Sequence, residues 1–358
     1  MSRIVFAYSG SARASIALRW MIEAWQAEVV TLTLDLGQRD ELDAVRERAL
    51  ACGAIRAHVL DERERFARDY LLRALRAGVA ADASWPLGHL LTRPLLARQL
   101  VDVAKMEGVT QIAHSAAGDL QDRLRLERAL RDAGPELTIR APLVDADLTD
   151  EEMIAFAEEH ELPIPRLETS ATAIDINLWE RSDGGAAAAG GRGPSLGFDQ
   201  RAPDDPADVV LQFLRGTPVG LNGVTMPLLE ILSSLDTIAA AHGIGRTQQL
   251  VRLADGSVVS QRREAPAAMV LDVALRQLQR LALPPDAIDD AQRIATLYRD
   301  ILARGAWAGA SRRGCDAFVD AIQTRVSGTV RVRLLRGSLS VMDCAFADEQ
   351  ADVAHLSR

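Results

Sequence analysis

Short apolar runs alternate with stretches of helical periodicity through the first 140 residues. Residues 4–8, 29–36, 55–60, 110–114 and 137–140 are runs suited to buried strands. Between them apolar side chains recur at three- and four-residue spacing. Leu18, Met21, Ile22 and Trp25 share one helical face, and Leu42, Val45, Ala49 and Cys52 share another. Residues 95–103 and 122–131 continue the helical series. Strands separated by helices of this length predict βαβ units and a parallel sheet, an α/β fold. Such sheets bind ligands beyond the carboxyl ends of their strands, near the switch point. Ser9-Gly10 and His114-Ser115 fall at two of these ends.

Pro163 and Pro165 close this half, and the texture then changes. The run from Gly184 through four alanines to Gly191 reads as a flexible loop. Beyond it, 258–261 and 330–335 predict strands, and 265–281 and 291–303 predict helices. This is an α+β region, with the boundary placed near residue 166 and no clear internal repeat.

Composition narrows the class. The 358 residues suggest about two domains and suffice for a large core without disulfides. Hydrophobic residues make up 48% and charged residues 25%, which argues against global disorder. A net charge of −9 disfavours a general nucleic-acid binder. No apolar run approaches a membrane span or a signal-peptide core, so a cytoplasmic protein is expected. Cys52, Cys315 and Cys344 form neither a metal pattern nor a disulfide framework. The sole lysine is Lys105, which removes most lysine-based chemistry.

The segment from Ala7 to Ser15, Ala-Tyr-Ser-Gly-Ser-Ala-Arg-Ala-Ser, joins the first strand to its helix. Small residues let backbone N–H groups converge, and a helix N-terminus adds partial positive charge. Both favour a phosphate. No Gly-Lys-Ser/Thr follows, so this is not a Walker motif. Taken alone, an ordinary strand-to-helix turn fits equally well.

This loop resembles the pyrophosphate loop of argininosuccinate synthases, commonly AYSGGLDTS. Asp35-Leu36-Gly37-Gln38 resembles their DVGQ, and Trp85-Pro86-Leu87-Gly88 with Arg93-Pro94 resembles YPLGT…ARP. Asp122, Arg125 and Glu127 are similar to NDQVRFE. Ile174-Asp175, Asn177-Leu178-Trp179 and Arg181-Ser182 are similar to IDANLWGRS. Gly243 to Arg246, Glu264 to Ala267 and Ser327 to Arg331 resemble GVGR, YEAPA and TGTVR, so the likeness covers nearly the whole chain.

The resemblance implies an N-type ATP-pyrophosphatase domain over 1–166. An α+β synthetase and oligomerisation domain would follow over 167–358, with a flexible Gly/Ala-rich loop at 184–197. It implies a homotetrameric ligase of arginine biosynthesis, acting on small amino-acid substrates, with no nucleic-acid or membrane partner. ATP and Mg²⁺ would be used. The citrulline ureido oxygen attacks the α-phosphate, pyrophosphate leaves, and the aspartate amine displaces AMP from the adenylate. The implied catalytic positions are Ser9, Gly10, Ser15, Asp122 and Arg125. ATP would meet Ala7, Tyr8, Ser9, Gly10, Ser11, Arg13, Ser15, Leu34 and Ser115. Substrates would meet Trp85, His89, Gln121, Asp122, Arg125 and Ser182. No protein-held metal ligand is assigned.

Departures concentrate where that chemistry belongs. Arg13 stands at the loop's acidic position and Ser11, Ala12 and Ala14 at its Gly, Leu and Thr, while Leu34 replaces an Ala beside the adenine. A guanidinium can attract phosphate but cannot replace a carboxylate near Mg²⁺. In the family's HGCTGKGND stretch, Ala117, Asp119 and Gln121 replace Thr, Lys and Asn. In the citrulline pocket, Trp85, His89 and Ala173 replace Tyr, Thr and Ser. Val251 replaces a Glu, and Arg263 replaces the Tyr before Glu-Ala-Pro-Ala. Each lost charged hydrogen bond is worth roughly 1.5–3 kcal/mol.

The retained residues have plainer readings too. Asp122, Arg125 and Glu127 suit a solvated helix face, His89 and His114 suit structural histidines, and Trp85 and Trp179 suit packing. Three functions stay open: an argininosuccinate synthase, an altered relative activating another ureido, carboxyl or amide substrate, and a silent binding or regulatory homologue.

Overall fold

In a computed structural model of the chain, residues 2–38, 42–79, 87–116, 120–165, 174–183, 202–252 and 258–346 are described. The 184–197 stretch, Trp85, Ala117, Asp119 and Ala173 lie outside them. The chain divides into two compact units. One comprises Met1–Glu62, Leu90–Ala173 and Ala303–Ala308; the other Arg63–His89, Ile174–Leu302 and Gly309–Arg358.

The first unit is built on β1 (Arg3–Ala7), β2 (Glu28–Asp35), β3 (Arg56–Asp61), β4 (Gln111–His114) and β5 (Thr138–Arg140). All pair in parallel in the order β3-β2-β1-β4-β5. The five strands expected from the apolar runs are these. On β1, Ile4, Val5 and Phe6 are almost fully buried, as a central strand covered on both faces requires. Helix Ala12–Ala24 covers one face with Ile16, Ala17, Leu18 and Met21, which join Ile4, Phe6 and Val29 in the core.

The helix expected over 95–103 is longer, Leu87–Glu107, and runs through Pro94. Pro94 lacks the N–H that would bond Leu90, but Leu90, Leu91 and Leu95 are buried around it, and their burial outweighs one missing bond. Lys105 sits in the last turn, 59% exposed and 3.8 Å from Glu136.

The second unit contains a short antiparallel pair, β6 (Ile174–Ile176) and β7 (Arg181–Asp183), which β11 (Arg246–Arg252) and β12 (Val258–Glu264) extend in the order β11-β12-β7-β6. A second antiparallel sheet orders β8 (Ala207–Leu214), β9 (Thr217–Leu221), β10 (Val224–Thr225), β13 (Gly328–Leu335) and β14 (Ser338–Phe346) as β10-β9-β8-β13-β14. On β13 the buried residues alternate, with Val330, Val332 and Leu334 facing the core. Helices Leu228–Ala241, Pro266–Ala282, Pro285–Ala303 and Ala310–Gln323 also belong to this region. The α+β texture expected of the second half is present. Unread in the sequence was the helical stretch Arg63–Arg65, Phe66–Leu71 and Leu72–Arg76, whose middle is π-helical. Among the described residues no helix is long and apolar enough to cross a membrane.

Candidate functional site

In the first unit β1 is flanked by β2 and β4, and the chain proceeds outward in opposite directions from this point. That is the switch point of an open parallel sheet, where ligands bind beyond the strand ends. Ala7 and His114 are in register across β1 and β4. The Ser9-Gly10 turn and His114-Ser115 therefore lie together, as the apolar runs predicted.

The loop is organised by its own hydroxyls. Ser11 caps helix Ala12–Ala24, its Oγ accepting from the Ala14 N–H at 3.2 Å. The Ser9 hydroxyl donates to Ser11 Oγ at 3.0 Å. Ser15, fully buried, donates to the Ser11 carbonyl at 3.0 Å, which leaves its oxygen to accept from the Tyr8 hydroxyl at 2.7 Å. Burial pushes the Tyr8 phenol up to about 12. With Ala14 and Ser15 bonded to the cap, the N–H groups of Ala12 and Arg13 find no acceptor among the described residues at the helix N-terminus. Such donors in a 13-residue helix form an anion seat.

Gly10 has φ +76°, and a Cβ there would meet both Val45 methyl carbons at 2.9 Å. Arg48 donates to the Gly10 carbonyl at 2.7 Å and to the Pro163 carbonyl at 3.1 Å. Arg48 is thus a loop-positioning residue that the motif did not reveal, because its target is a backbone oxygen 38 positions away.

Arg13 is the loop cation expected to meet phosphate. Its guanidinium bonds Asp150 at 2.5 Å and approaches Met153 Sδ at 3.8 Å, so its charge is compensated. The carboxylate beside it is therefore occupied, and among the described residues no group of three or more His, Cys, Asp or Glu could hold a metal.

Leu34 is buried near the end of β2, and Ser115 is half-buried after β4. His114 is 1% exposed. Neither ring nitrogen makes a hydrogen bond, and the nearest Glu127 oxygen is 3.7 Å away. Burial drags its pKa down to about 4, outweighing the pull of Glu127. Asp122, on helix Leu120–Ala133, is buried in a bidentate pair with Arg93, at 2.8 and 2.6 Å. Arg125 donates to the Ala303 carbonyl at 2.8 Å, and Gly305, at φ +66°, lies against the Arg125 backbone. Gln121 is exposed on the same helix.

The other expected substrate residues lie in the second unit. Ser182 on β7 is in register with Arg263 on β12. Between Trp179 and Arg181 stands Glu180, where the resembled motif has Gly. It is 3% exposed, and its Oε1 accepts from the His89 N–H at 3.0 Å. The Gly88 N–H also bonds it, and Arg263 Nε stands 4.0 Å from Oε2. Burial raises the Glu180 pKa and lowers that of Arg263. Gly88 allows this approach, since a Cβ would lie 2.7 Å from Asn177 Oδ1 and 2.9 Å from Glu180 Cγ. Arg263, which replaces the Tyr before Glu-Ala-Pro-Ala, is 5% exposed and faces Glu180. Val251 lies on β11, backbone-paired with Val259.

Family models of the arginosuccinate synthase N-terminal HUP domain and the arginosuccinate synthase C-terminal domain match residues 3–163 and 198–349. The chain belongs to the argininosuccinate synthase family. It is 36% identical over 348 residues to the argininosuccinate synthase of Chlorobium chlorochromatii, covering 95% of this chain and 87% of that one. The argininosuccinate synthase of Rubrobacter xylanophilus is 36% identical over 346 residues, covering 95% of this chain and 84% of its own. That of Dictyoglomus thermophilum is 34% identical over 347 residues, with 95% and 87% covered. Argininosuccinate synthase membership thus extends across both units.

Proposed function

We propose that the chain is an argininosuccinate synthase-type ligase that uses ATP to activate an oxygen of one substrate and joins it to an amine. Pyrophosphate leaves as the substrate oxygen bonds the α-phosphorus. The amine then attacks the activated carbon and AMP departs with the transferred oxygen. The observation that carries this reading is the pair of unbonded N–H groups, Ala12 and Arg13, at a helix N-terminus on the sheet's switch point. They suit a polyphosphate, which fixed donors stabilise as charge builds on the leaving group. Arg48 and the Ser9–Ser11 bond hold the loop in shape, and Arg13 acts as a loop anchor on Asp150.

The activated substrate is a relative of citrulline, not citrulline itself. Glu180 already occupies the N–H groups of Gly88 and His89 and neutralises Arg263, so a ligand carboxylate finds those donors taken. The ordinary citrulline–aspartate reading is favoured by the 36% identity over 95% of the chain and by the persistence of Asp122, Arg125 and Ser182. A homotetramer is the expected assembly under either.

The test is pyrophosphate release from ATP with a panel of ureido, amide and carboxylate substrates, each with and without aspartate. Release with a non-citrulline substrate is expected. Release with citrulline and aspartate alone would restore the ordinary synthase. No release with any pair, together with no ATP binding by calorimetry, would leave a silent homologue.

A further inference from the structure

The second unit holds a cavity of about 320 Å³, between helices Pro266–Ala282 and Pro285–Ala303 and closed by Arg76 and Gly78. Its size lies at the lower end for small-molecule sites. Four guanidinium side chains line it, those of Arg76, Arg276, Arg280 and Arg299, and no carboxylate does. Acidic partners stand behind the lining: Arg76 pairs with Asp320 at 2.7 Å, Arg276 pairs with Asp272 at 2.7 Å, and Arg299 also feels the Asp272 charge. Among the described residues exposed Arg280 makes neither a hydrogen bond nor an ion pair, and buried Arg76 Nε has no acceptor. The remaining wall combines apolar Leu283, Ile288 and Val319 with the amides of Gln279 and Gln292 and the Thr296 hydroxyl.

Four guanidinium groups face one small volume with no carboxylate in its lining, and an anion there would take donors that Asp320 and Asp272 leave over, Arg76 Nε among them. Guanidinium groups also match carboxylate and phosphate oxygens in planar geometry. We propose that this cavity is a binding site for a compact organic anion carrying two or more negative charges and a short apolar spacer. Carboxylates and a phosphate ester share that chemistry. The site shares no residue with the loop, Asp122 or Glu180, so the inference stands apart from the reaction proposed above.

Calorimetry on the full chain at low ionic strength would use citrate, glycerol 3-phosphate and, as the uncharged control, glycerol. Submillimolar binding of citrate, of glycerol 3-phosphate or of both is expected, with none for glycerol. Binding of one alone identifies whether carboxylate or phosphate is preferred. Arg280→Glu and Thr296→Glu, at exposed positions on the two helices, should each weaken binding at least tenfold. Ser9→Ala, in the first unit's loop, should leave it unchanged. Failure of both anions to bind would overturn the site. So would binding that survives both Glu variants or is lost with Ser9→Ala.

Discussion

His114 carries the sharpest consequence of a single side chain. An imidazole in the unfolded chain titrates near 6.5, whereas buried His114 is held down to about 4. Between those values the unfolded state takes up a proton that the folded state refuses. The stability present above pH 6.5 therefore drains away as the pH falls towards 4, by about 3 kcal/mol in all. His114→Leu removes this titration. Urea unfolding of both proteins from pH 7 to 4.5 should show the variant losing clearly less stability than the parent. Parallel curves would mean that His114 is protonated when folded. The sequence placed His114 correctly at a strand end, because the apolar run of β4 stops there. It did not show the missing hydrogen-bond partners, which depend on Glu127 stopping 3.7 Å short.

Among the elements, helix Leu87–Glu107 is the one whose start depends on a distant carboxylate. Glu180 accepts from its first N–H groups, where a side chain from within the helix would ordinarily serve. Arg263 offsets the buried charge from the adjoining strand. Truncating one member of a buried pair leaves the other uncompensated, at about 3–5 kcal/mol. Arg263→Met should be destabilised by that amount in chemical unfolding. Glu180→Gln combined with Arg263→Met should cost less than the two single changes added together. Additive costs would show that the two residues act separately. None of this was legible beforehand. Glu180 and Arg263 stand 83 positions apart, and each alone reads as an ordinary substitution in a known motif. Legible elements were those with a strong local period, such as β1, β2, helix Ala12–Ala24 and helix Pro266–Ala282. The π-helical turn Phe66–Leu71 carries no such mark, since its hydrogen-bond spacing differs from the period that patterning detects.

At the scale of the whole molecule, the chain crosses between its units more often than a boundary near residue 166 conveys. Arg63–His89 departs from the first unit, and Ala303–Ala308 returns to it. A fragment of residues 1–165 would lack the Ala303 carbonyl that Arg125 uses and the Gly305 seated against the Arg125 backbone. It would also carry Phe66, Tyr70, Leu71 and Leu75, buried in the full chain, without the rest of their unit. Such a fragment should bind a hydrophobic dye and unfold without a cooperative transition, whereas the full chain should not. A fragment with a sharp transition would show that the returning segment is dispensable. Composition could not reveal this exchange, because it arises from tertiary clustering and leaves no shift in residue usage.

The scarcity of lysine gives the molecule a built-in reporter. A lysine-specific protease has one place to cut, after Lys105, and that bond lies inside the last turn of helix Leu87–Glu107. Cleavage requires several residues to leave the helix, so its rate follows the local opening equilibrium when reclosing is fast. One new peptide end, scored on a gel, then measures how firmly the last turn of that helix is held. The same amine, 59% exposed, offers a single side-chain handle for acylating dyes, so the helix can be watched by fluorescence without engineering a new residue.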